Sequence, residues 1–246
     1  MLLDLNADVG EECGDDSTLI PLLTSANVAC GAHAGDAAVM RRTVDLCLAH
    51  GVHVGAHVSY PDRENFGRRD LALTPGQITA SVNEQLQALS EVARAAGTRF
   101  TYVKAHGALY NRMADDGATA DAVIAALRAF DPTLVLLTLP QCIAMQRARA
   151  QGLEAVGEAF ADRAYREDGR LQPRREAGAV LTDTATVAVR ALAWARDGVM
   201  PSASGRSLKI QARSLCVHGD TPGAVALAKA LRTVLLQAGV ELKAFA

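Results

Sequence analysis

Short apolar segments alternate with longer amphipathic segments along the chain, and this alternation narrows the possible folds more than any other pattern. Strands that alternate with helices pair in parallel, because the helices serve as crossover connections. The sequence therefore predicts an α/β fold. We predict strands at residues 2–5, 26–29, 52–56, 100–104, 134–138, 154–157 and 214–217.

The helical segments are marked by their end signals. Thr74 is a suitable N-cap, Pro75 suits the first helical position, and Gln77 completes a capping box. Apolar side chains then recur at helical spacing until Gly97, a suitable stop. Further helices are predicted at about residues 37–50, 119–129, 141–151, 184–197 and 221–239.

The distribution of polar motifs favours a closed barrel over an open sheet. An open doubly wound sheet concentrates its site at one switch point, whereas a barrel gathers the loops after every strand at one mouth. Polar motifs here follow nearly every predicted strand. We predict one β/α-barrel domain over residues 1–246, with long irregular segments at 58–73 and 158–178 as candidate functional loops.

Charge and composition exclude several classes of protein. A net charge of -2 gives no basic excess for nucleic acid or an anionic membrane surface. Apolar runs stay short of the roughly 18 residues of a membrane helix, and the amino end lacks the pattern of a signal peptide. Five scattered cysteines without a CxxC pair fit a reducing compartment, so we expect a cytoplasmic protein.

Polar residues and glycines cluster after the predicted strands. Four of the six histidines lie there, namely His33, His57, His106 and His218. One such histidine would more often be structural, but four at equivalent positions indicate a shared site. The other candidate site residues in these motifs are Asn6, Asp8, Glu11, Asn27, Asp36, Asp62, Arg68, Lys104, Tyr110, Asp162, Arg163, Arg174 and Asp220.

Some of these residues have two interpretations that the sequence leaves open. Asp36 and Asp220 precede predicted helices, so each is either a helix cap or a catalytic group. Asp8, His33 and His57 form a weak candidate metal site, because an aspartate with two histidines can hold a divalent ion. No HExxH or HxH motif supports that site, and its ligands would come from three loops.

Several familiar motifs are missing from the sequence. It contains neither a GxxxxGK[ST] phosphate loop nor a GxGxxG after a strand, so a nucleotide must bind in another way or on another chain. It also contains no GxSxG elbow, which disfavours a serine hydrolase.

Seven ordered motifs resemble the LamB/YcsF family and extend over nearly the whole chain. They are DLNADVGE, NVACGAHAGD, GAHVSYPD, ENFGRR, KAHGALYN, FADRAY and CVHGDTPGA. The resemblance implies a seven-stranded β/α barrel of the glycoside hydrolase/deacetylase class. It also implies one component of an ATP-dependent 5-oxoprolinase, which converts 5-oxoproline to glutamate together with subunits B and C. ATP, with accompanying Mg²⁺, is the expected cofactor.

Lactam hydrolysis needs an activated nucleophile, a polarised carbonyl and a proton for the leaving nitrogen. The candidate catalytic residues are Asp8, His33, Lys104, His106 and Asp220, with Asp8 or His33 as base, Lys104 beside the oxyanion or phosphate, and His106 as acid. The remaining candidates are assigned to substrate binding. The chain departs from the family pattern at Ala32, Val58 and Ala105, which bears on substrate choice and loop rigidity.

Two alternative functions use the same residues. One is a stand-alone metal-dependent deacetylase or amidohydrolase, which would need stoichiometric metal and no ATP. The other is a non-catalytic subunit that presents 5-oxoproline to its partner chains.

Overall fold

The computed structural model describes residues 2–246, so Met1 of the predicted domain lies outside the described residues. The strands are β1 (Leu2–Val9), β2 (Ser25–Ala29), β3 (His53–Val58), β4 (Tyr102–Ala105), β5 (Val135–Thr138), β6 (Ala155–Phe160), β7 (Val199–Pro201), β8 (Ser207–Lys209), β9 (Ser214–Val217) and β10 (Glu241–Leu242). The helices are α1 (Asp16–Leu19), α2 (Ala37–His50), α3 (Pro75–Ala95), α4 (Gly107–Asp115), α5 (Gly117–Phe130), α6 (Ile143–Ala150), α7 (Thr184–Asp197) and α8 (Ala224–Gln237).

Seven parallel strands among residues 2–246 close into a barrel. They pair in the order β1-β2-β3-β4-β5-β6-β9, and β9 pairs back with β1. Strands β7 and β8 form a separate antiparallel hairpin, and β10 pairs with the start of β1. The predicted seven-stranded β/α barrel is therefore confirmed.

The barrel interior is polar along β1, which follows from the alternation of side chains along a strand. Asp4 accepts a hydrogen bond from Ser25 at 2.7 Å, Asn6 accepts one from Asn27 at 2.8 Å, and Asp8 accepts another from Asn27 at 2.8 Å. The intervening apolar residues of β1 belong to the buried core shared with the helices. Successive inward residues thus form a ladder that leads to the carboxyl end of the barrel.

Aromatic side chains fill the lower part of the barrel. The ring of Tyr102 occupies the space above Gly55, where a Cβ atom would collide with it. The Tyr102 hydroxyl donates to Asn27 Oδ1 at 2.8 Å, and its ring lies 4.9 Å from that of Phe245. The side chain of Tyr102 therefore fills the barrel interior beside Asn27 and Gly55.

The helices follow the predicted pattern with shifts at their ends. The capping box of α3 is present, with Thr74 N donating to Gln77 Oε1 at 2.9 Å. The predicted start at Thr221 was wrong, because α8 begins at Ala224 after Gly223, whose φ is +80°. Thr221 instead donates its hydroxyl to Asp162 at 3.1 Å.

The sequence missed the short helix α1 with the 3-10 helix that follows it at Ile20–Leu22, and it also missed the helix α4, the β7–β8 hairpin and β10. Several strands also extend further than predicted, so that Asp8, His57 and Glu158 lie on strands rather than in the loops after them. Among residues 2–246, no helix is both long enough and apolar enough to cross a membrane.

Candidate active site

A cavity of about 720 Å³ opens at the carboxyl ends of the barrel strands. Its floor comes from inward strand residues, and its walls come from α4 and the irregular segment after β6. The predicted site residues that line it are Asp8, His57, Arg68, Lys104, His106, Tyr110, Arg163, Arg174 and His218. The barrel therefore brings together residues that lie more than 200 positions apart in sequence.

Lys104 lies at the centre of the cavity floor. Its Nζ atom is 2.9 Å from Asp8 Oδ1, 3.1 Å from Glu158 Oε2 and 3.1 Å from Cys216 Sγ. Burial lowers the pKa of Lys104, but the charges of Asp8 and Glu158 raise it by more, so the net pKa is well above the ordinary value. The side chain is therefore an ammonium group rather than a base.

Glu11 and three histidines form a second cluster beside Asp8. His33 Nε2 lies 3.0 Å from Glu11 Oε1, and His106 Nδ1 lies 3.2 Å from the same oxygen. His57 Nε2 is 3.0 Å from His106 Nδ1 and 3.4 Å from Asp8 Oδ2. Burial raises the pKa of Glu11, but contacts with His106 and His33 lower it more strongly, to below its ordinary range. For His33, burial has the opposite effect and lowers the pKa to about 4.

The loop after β3 holds this cluster in place. Gly67 has a φ of +63°, and an added Cβ atom there would collide with Ser59 Oγ. Its carbonyl accepts from Ala108 N at 2.9 Å, and the carbonyl of Phe66 lies 2.9 Å from His106 Nε2. A glycine is therefore needed where this loop meets the start of α4.

His218 is positioned by a buried carboxylate. Its Nδ1 atom is 3.0 Å from Asp162 Oδ1, and its ring stacks on Phe160 with centroids 5.3 Å apart. Burial raises the pKa of Asp162, but the charge and hydrogen bonds of His218 lower it by more, so the net shift is downward. Asp162 thus orients His218 from below the cavity.

Arginines surround the rim of the cavity. Arg68 pairs with Asp220, and Arg174 lies 3.5 Å from the same carboxylate. Arg163 donates to the carbonyl oxygens of Ala179 at 3.1 Å and Gln172 at 2.6 Å, and burial lowers its pKa to about 10. Asp220 is therefore a partner of rim arginines and not the cap of α8.

The structure places some predicted site residues outside the cavity lining. Asp36 is exposed and accepts from Val39 N at 2.8 Å, so it caps α2. Asp62 accepts from Asn65 Nδ2 at 2.8 Å within its own loop. Asn6 and Asn27 are buried one level beneath Asp8, where they bond to each other. Asn6 and Asn27 therefore support Asp8 from beneath, whereas Asp36 and Asp62 stabilise a helix end and a loop.

Of the three predicted metal ligands, His33 and His57 lie in the cluster of Glu11 and three histidines. Asp8 lies beside it, with Oδ1 in contact with Lys104 and Oδ2 in contact with His57. Glu11 and His106 complete the four-residue group.

Sequence reasoning missed Glu158, which is fully buried beside Lys104. Glu158 also acts on the neighbouring Tyr110, because burial and then the charge of Glu158 raise the pKa of the Tyr110 hydroxyl well above its ordinary value. A single acidic residue within an apolar strand segment was the available signal, but the predicted strand ended at Gly157.

Comparison with known proteins places the whole chain among close relatives. The model of the LamB/YcsF family matches residues 3–246. A protein from Agrobacterium fabrum, named as one of its 5-oxoprolinase A subunits, is 50% identical, with 99% of this chain and 98% of that protein covered. A Streptomyces avermitilis protein that is also named as the A component of 5-oxoprolinase is 51% identical, with both chains covered completely.

Solved structures agree with this fold. The lactam utilization protein from Thermus thermophilus matches with a TM-score of 0.94 and 43% identity over the full length of both chains. A family 4 carbohydrate esterase from Streptomyces lividans matches with a TM-score of 0.53 and 10% identity, covering 100% of this chain and 93% of that one. At that identity the second match shows a shared fold alone.

Proposed function

The chain belongs to the LamB/YcsF family, and we propose that it acts as the A component of an ATP-dependent 5-oxoprolinase. The observation that carries this proposal is the pair of relatives named as that component, which are 50% and 51% identical over essentially their full lengths. In the proposed reaction, the lactam ring of 5-oxoproline opens to glutamate while ATP is hydrolysed. The B and C subunits are the proposed partners, and Mg²⁺ accompanies the ATP.

The charge at the mouth of the cavity suits anionic substrates. Arg68 and Arg174 line it and share one carboxylate, Asp220, so the pair keeps a net positive charge, and guanidinium groups bind carboxylates and phosphates in a bidentate way. 5-Oxoproline carries one carboxylate, and ATP carries a triphosphate. A cavity of about 720 Å³ lies within the usual range for small-molecule sites.

The floor of the cavity carries groups suited to opening an amide. We assign Lys104 to stabilise negative charge on the lactam oxygen or on the phosphoryl group, since its ammonium lies at the centre of the floor. His218 lines the same cavity with its Nδ1 atom held by Asp162, and it is the candidate for moving protons from water and to the leaving nitrogen. Asp8 holds both Lys104 and His57 in position.

ATP serves to make the amide carbon reactive. In the proposed sequence the lactam oxygen attacks the γ-phosphorus of ATP, an O–P bond forms, and ADP leaves. Water then adds to the ring carbon, the C–N bond breaks, and the nitrogen takes a proton. A second water hydrolyses the resulting acyl phosphate to the glutamate side-chain carboxylate and phosphate.

The test measures glutamate and ADP formed from 5-oxoproline, ATP and Mg²⁺, using this chain with and without its cognate B and C subunits. We expect both products only when all three chains are present. Absence of glutamate while B and C are folded and bound to this chain would refute the substrate assignment.

Matched variants distinguish catalysis from presentation of the substrate. Asp8→Asn and His106→Gln alter the cavity floor, whereas His53→Gln alters an exposed histidine at the opposite end of β3. We expect the first two to lower kcat at least 100-fold in the complex and the third to leave it unchanged. If the floor variants retain full kcat and bind 5-oxoproline normally, the chain is a binding subunit.

A further inference from the structure

Two histidines of the cluster have one ring nitrogen committed to a backbone carbonyl. His57 Nδ1 lies 3.2 Å from the carbonyl oxygen of Lys104, and His106 Nε2 lies 2.9 Å from that of Phe66. A carbonyl oxygen accepts and never donates, so each of these nitrogens carries its hydrogen. In a neutral ring, His57 Nε2 and His106 Nδ1 are then bare lone pairs.

These two lone pairs point towards each other and towards carboxylates. His57 Nε2 and His106 Nδ1 are 3.0 Å apart, and Glu11 Oε1 lies 3.7 Å from the first and 3.2 Å from the second. Asp8 Oδ2 is a further acceptor, 3.4 Å from His57 Nε2. Acceptors that converge without hydrogens in a buried site are costly, so a cation belongs between them.

His33 has a different part in the cluster. Its ring stacks on that of His106 with centroids 4.0 Å apart and planes 10° apart, so its in-plane lone pair cannot meet that of His106 at one point. Within residues 2–246, its buried Nδ1 atom has no hydrogen-bond partner. This suits a bare Nδ1 and an Nε2–H group that donates to Glu11 at 3.0 Å. His33 therefore orients Glu11.

We propose that Glu11 Oε1, His57 Nε2 and His106 Nδ1 bind a divalent transition metal ion of the zinc class. Their separations of 3.0, 3.2 and 3.7 Å bracket the roughly 3.3 Å between ligand atoms that tetrahedral bonds of about 2.0–2.1 Å require. The rings of His57 and His106 are 89° apart, so their lone pairs approach one point from different directions. Both histidines donate their second nitrogen to a backbone carbonyl, as metal-binding histidines do.

Three protein ligands leave a fourth position for water or substrate, as in catalytic rather than structural zinc sites. That position faces the cavity, because His57 and His106 both line it. Two histidines and one carboxylate suit Zn²⁺, Co²⁺, Fe²⁺ or Mn²⁺. The proposal stands on these side chains alone and does not depend on 5-oxoproline being the substrate.

The test uses the purified full-length chain, stripped with a chelator and then incubated with Zn²⁺ or Co²⁺. After removal of free ions, we expect about one metal ion per chain by mass spectrometry of the elements. We also expect visible absorption typical of four- or five-coordinate Co²⁺. A stoichiometry near zero with every ion tested would overturn the proposal and leave an additional proton on the histidines as the explanation.

Variants locate the bound ion. Glu11→Gln and His57→Gln should each weaken Zn²⁺ binding at least 100-fold, and His33→Gln should weaken it about 10–100-fold because it acts through Glu11. His53→Gln, at the exposed end of the same strand as His57, is the control and should bind as the wild type does. Circular dichroism shows which variants fold, and any one folded ligand variant suffices. Wild-type affinity in a folded ligand variant would refute the assignment, whatever the outcome of the glutamate assay.

Discussion

Replacing Lys104 by methionine removes a buried cation that lies between two carboxylates. Its Nζ atom is 2.9 Å from Asp8 and 3.1 Å from Glu158, and all three side chains are almost completely buried. Methionine keeps much of the length of the lysine side chain, so the substitution mainly removes charge. Asp8 retains its hydrogen bond from Asn27 at 2.8 Å, whereas Glu158 loses the ammonium group that lies 3.1 Å from its Oε2 atom.

The expected loss is large because it leaves an uncompensated buried charge. Removing one partner of a buried ion pair costs about 3–5 kcal/mol. A typical domain has a free energy of unfolding of about 5–15 kcal/mol, so Lys104→Met should remove a substantial part of it. The double variant Lys104→Met with Glu158→Gln removes both charges of one ion pair. It should therefore recover at least half of the free energy of unfolding that Lys104→Met loses.

Urea unfolding followed by circular dichroism measures these differences, provided that the m-values of the variants agree. Lys209→Met, at an exposed position of β8, is the matched control and should stay within about 0.5 kcal/mol of the wild type. A loss below about 1 kcal/mol for Lys104→Met would refute the reasoning. Strict additivity in the double variant would do the same, because the two charges would then not interact.

Three further predictions each concern one substitution. Gly67→Ala should lower the free energy of unfolding by about 1–3 kcal/mol in urea titrations, because its φ is +63° and the new Cβ meets Ser59. Thr74→Ala should cost about 1 kcal/mol in the same assay by removing the cap of α3. The pKa of Asp162 is lowered in the folded protein, so its contribution to stability is present above about pH 4 and is lost as pH falls. In Asp162→Asn, the free energy of unfolding should therefore fall less steeply with decreasing pH below about pH 4 than in the wild type. The same dependence on pH in both proteins would contradict this prediction.

The sequence predicted the fold well because two strong signals agreed. The alternation of short apolar and long amphipathic segments placed all the barrel strands, and the position of the polar motifs favoured closure. The same topological argument placed His57, Lys104 and His106 at one mouth, where the structure has them. The carboxyl ends of β1, β3 and β6 were predicted too early, because a strand that ends in polar residues resembles the start of a loop.

The parts that the sequence could not predict depend on long-range geometry. Asp36 and Asp220 both stand before a helix, yet one caps it and the other pairs with Arg68 more than 150 positions away. Glu158 faces Lys104 because of the register between strands, which no local pattern encodes. The direction of each histidine lone pair depends on nearby carbonyl groups, so the replacement of Asp8 and His33 by Glu11 and His106 as candidate metal ligands needed coordinates.

The balance of buried charge connects the two clusters on the cavity floor. Within residues 2–246, the buried carboxylates are Asp4, Asp8, Glu11, Glu158 and Asp162, and the buried cationic side chains of lysine and arginine are Lys104 and Arg163. Burial raises the pKa of Asp4, which favours its neutral form, and Arg163 is directed at loop carbonyls. Lys104 therefore balances one charge of the Asp8–Glu158 pair, while Glu11 and the second oxygen of Asp8 face lone pairs of histidine. The divalent ion proposed beside Glu11 would supply the positive charge that this half of the floor lacks, and Asp8 would then link the ion to the ammonium group.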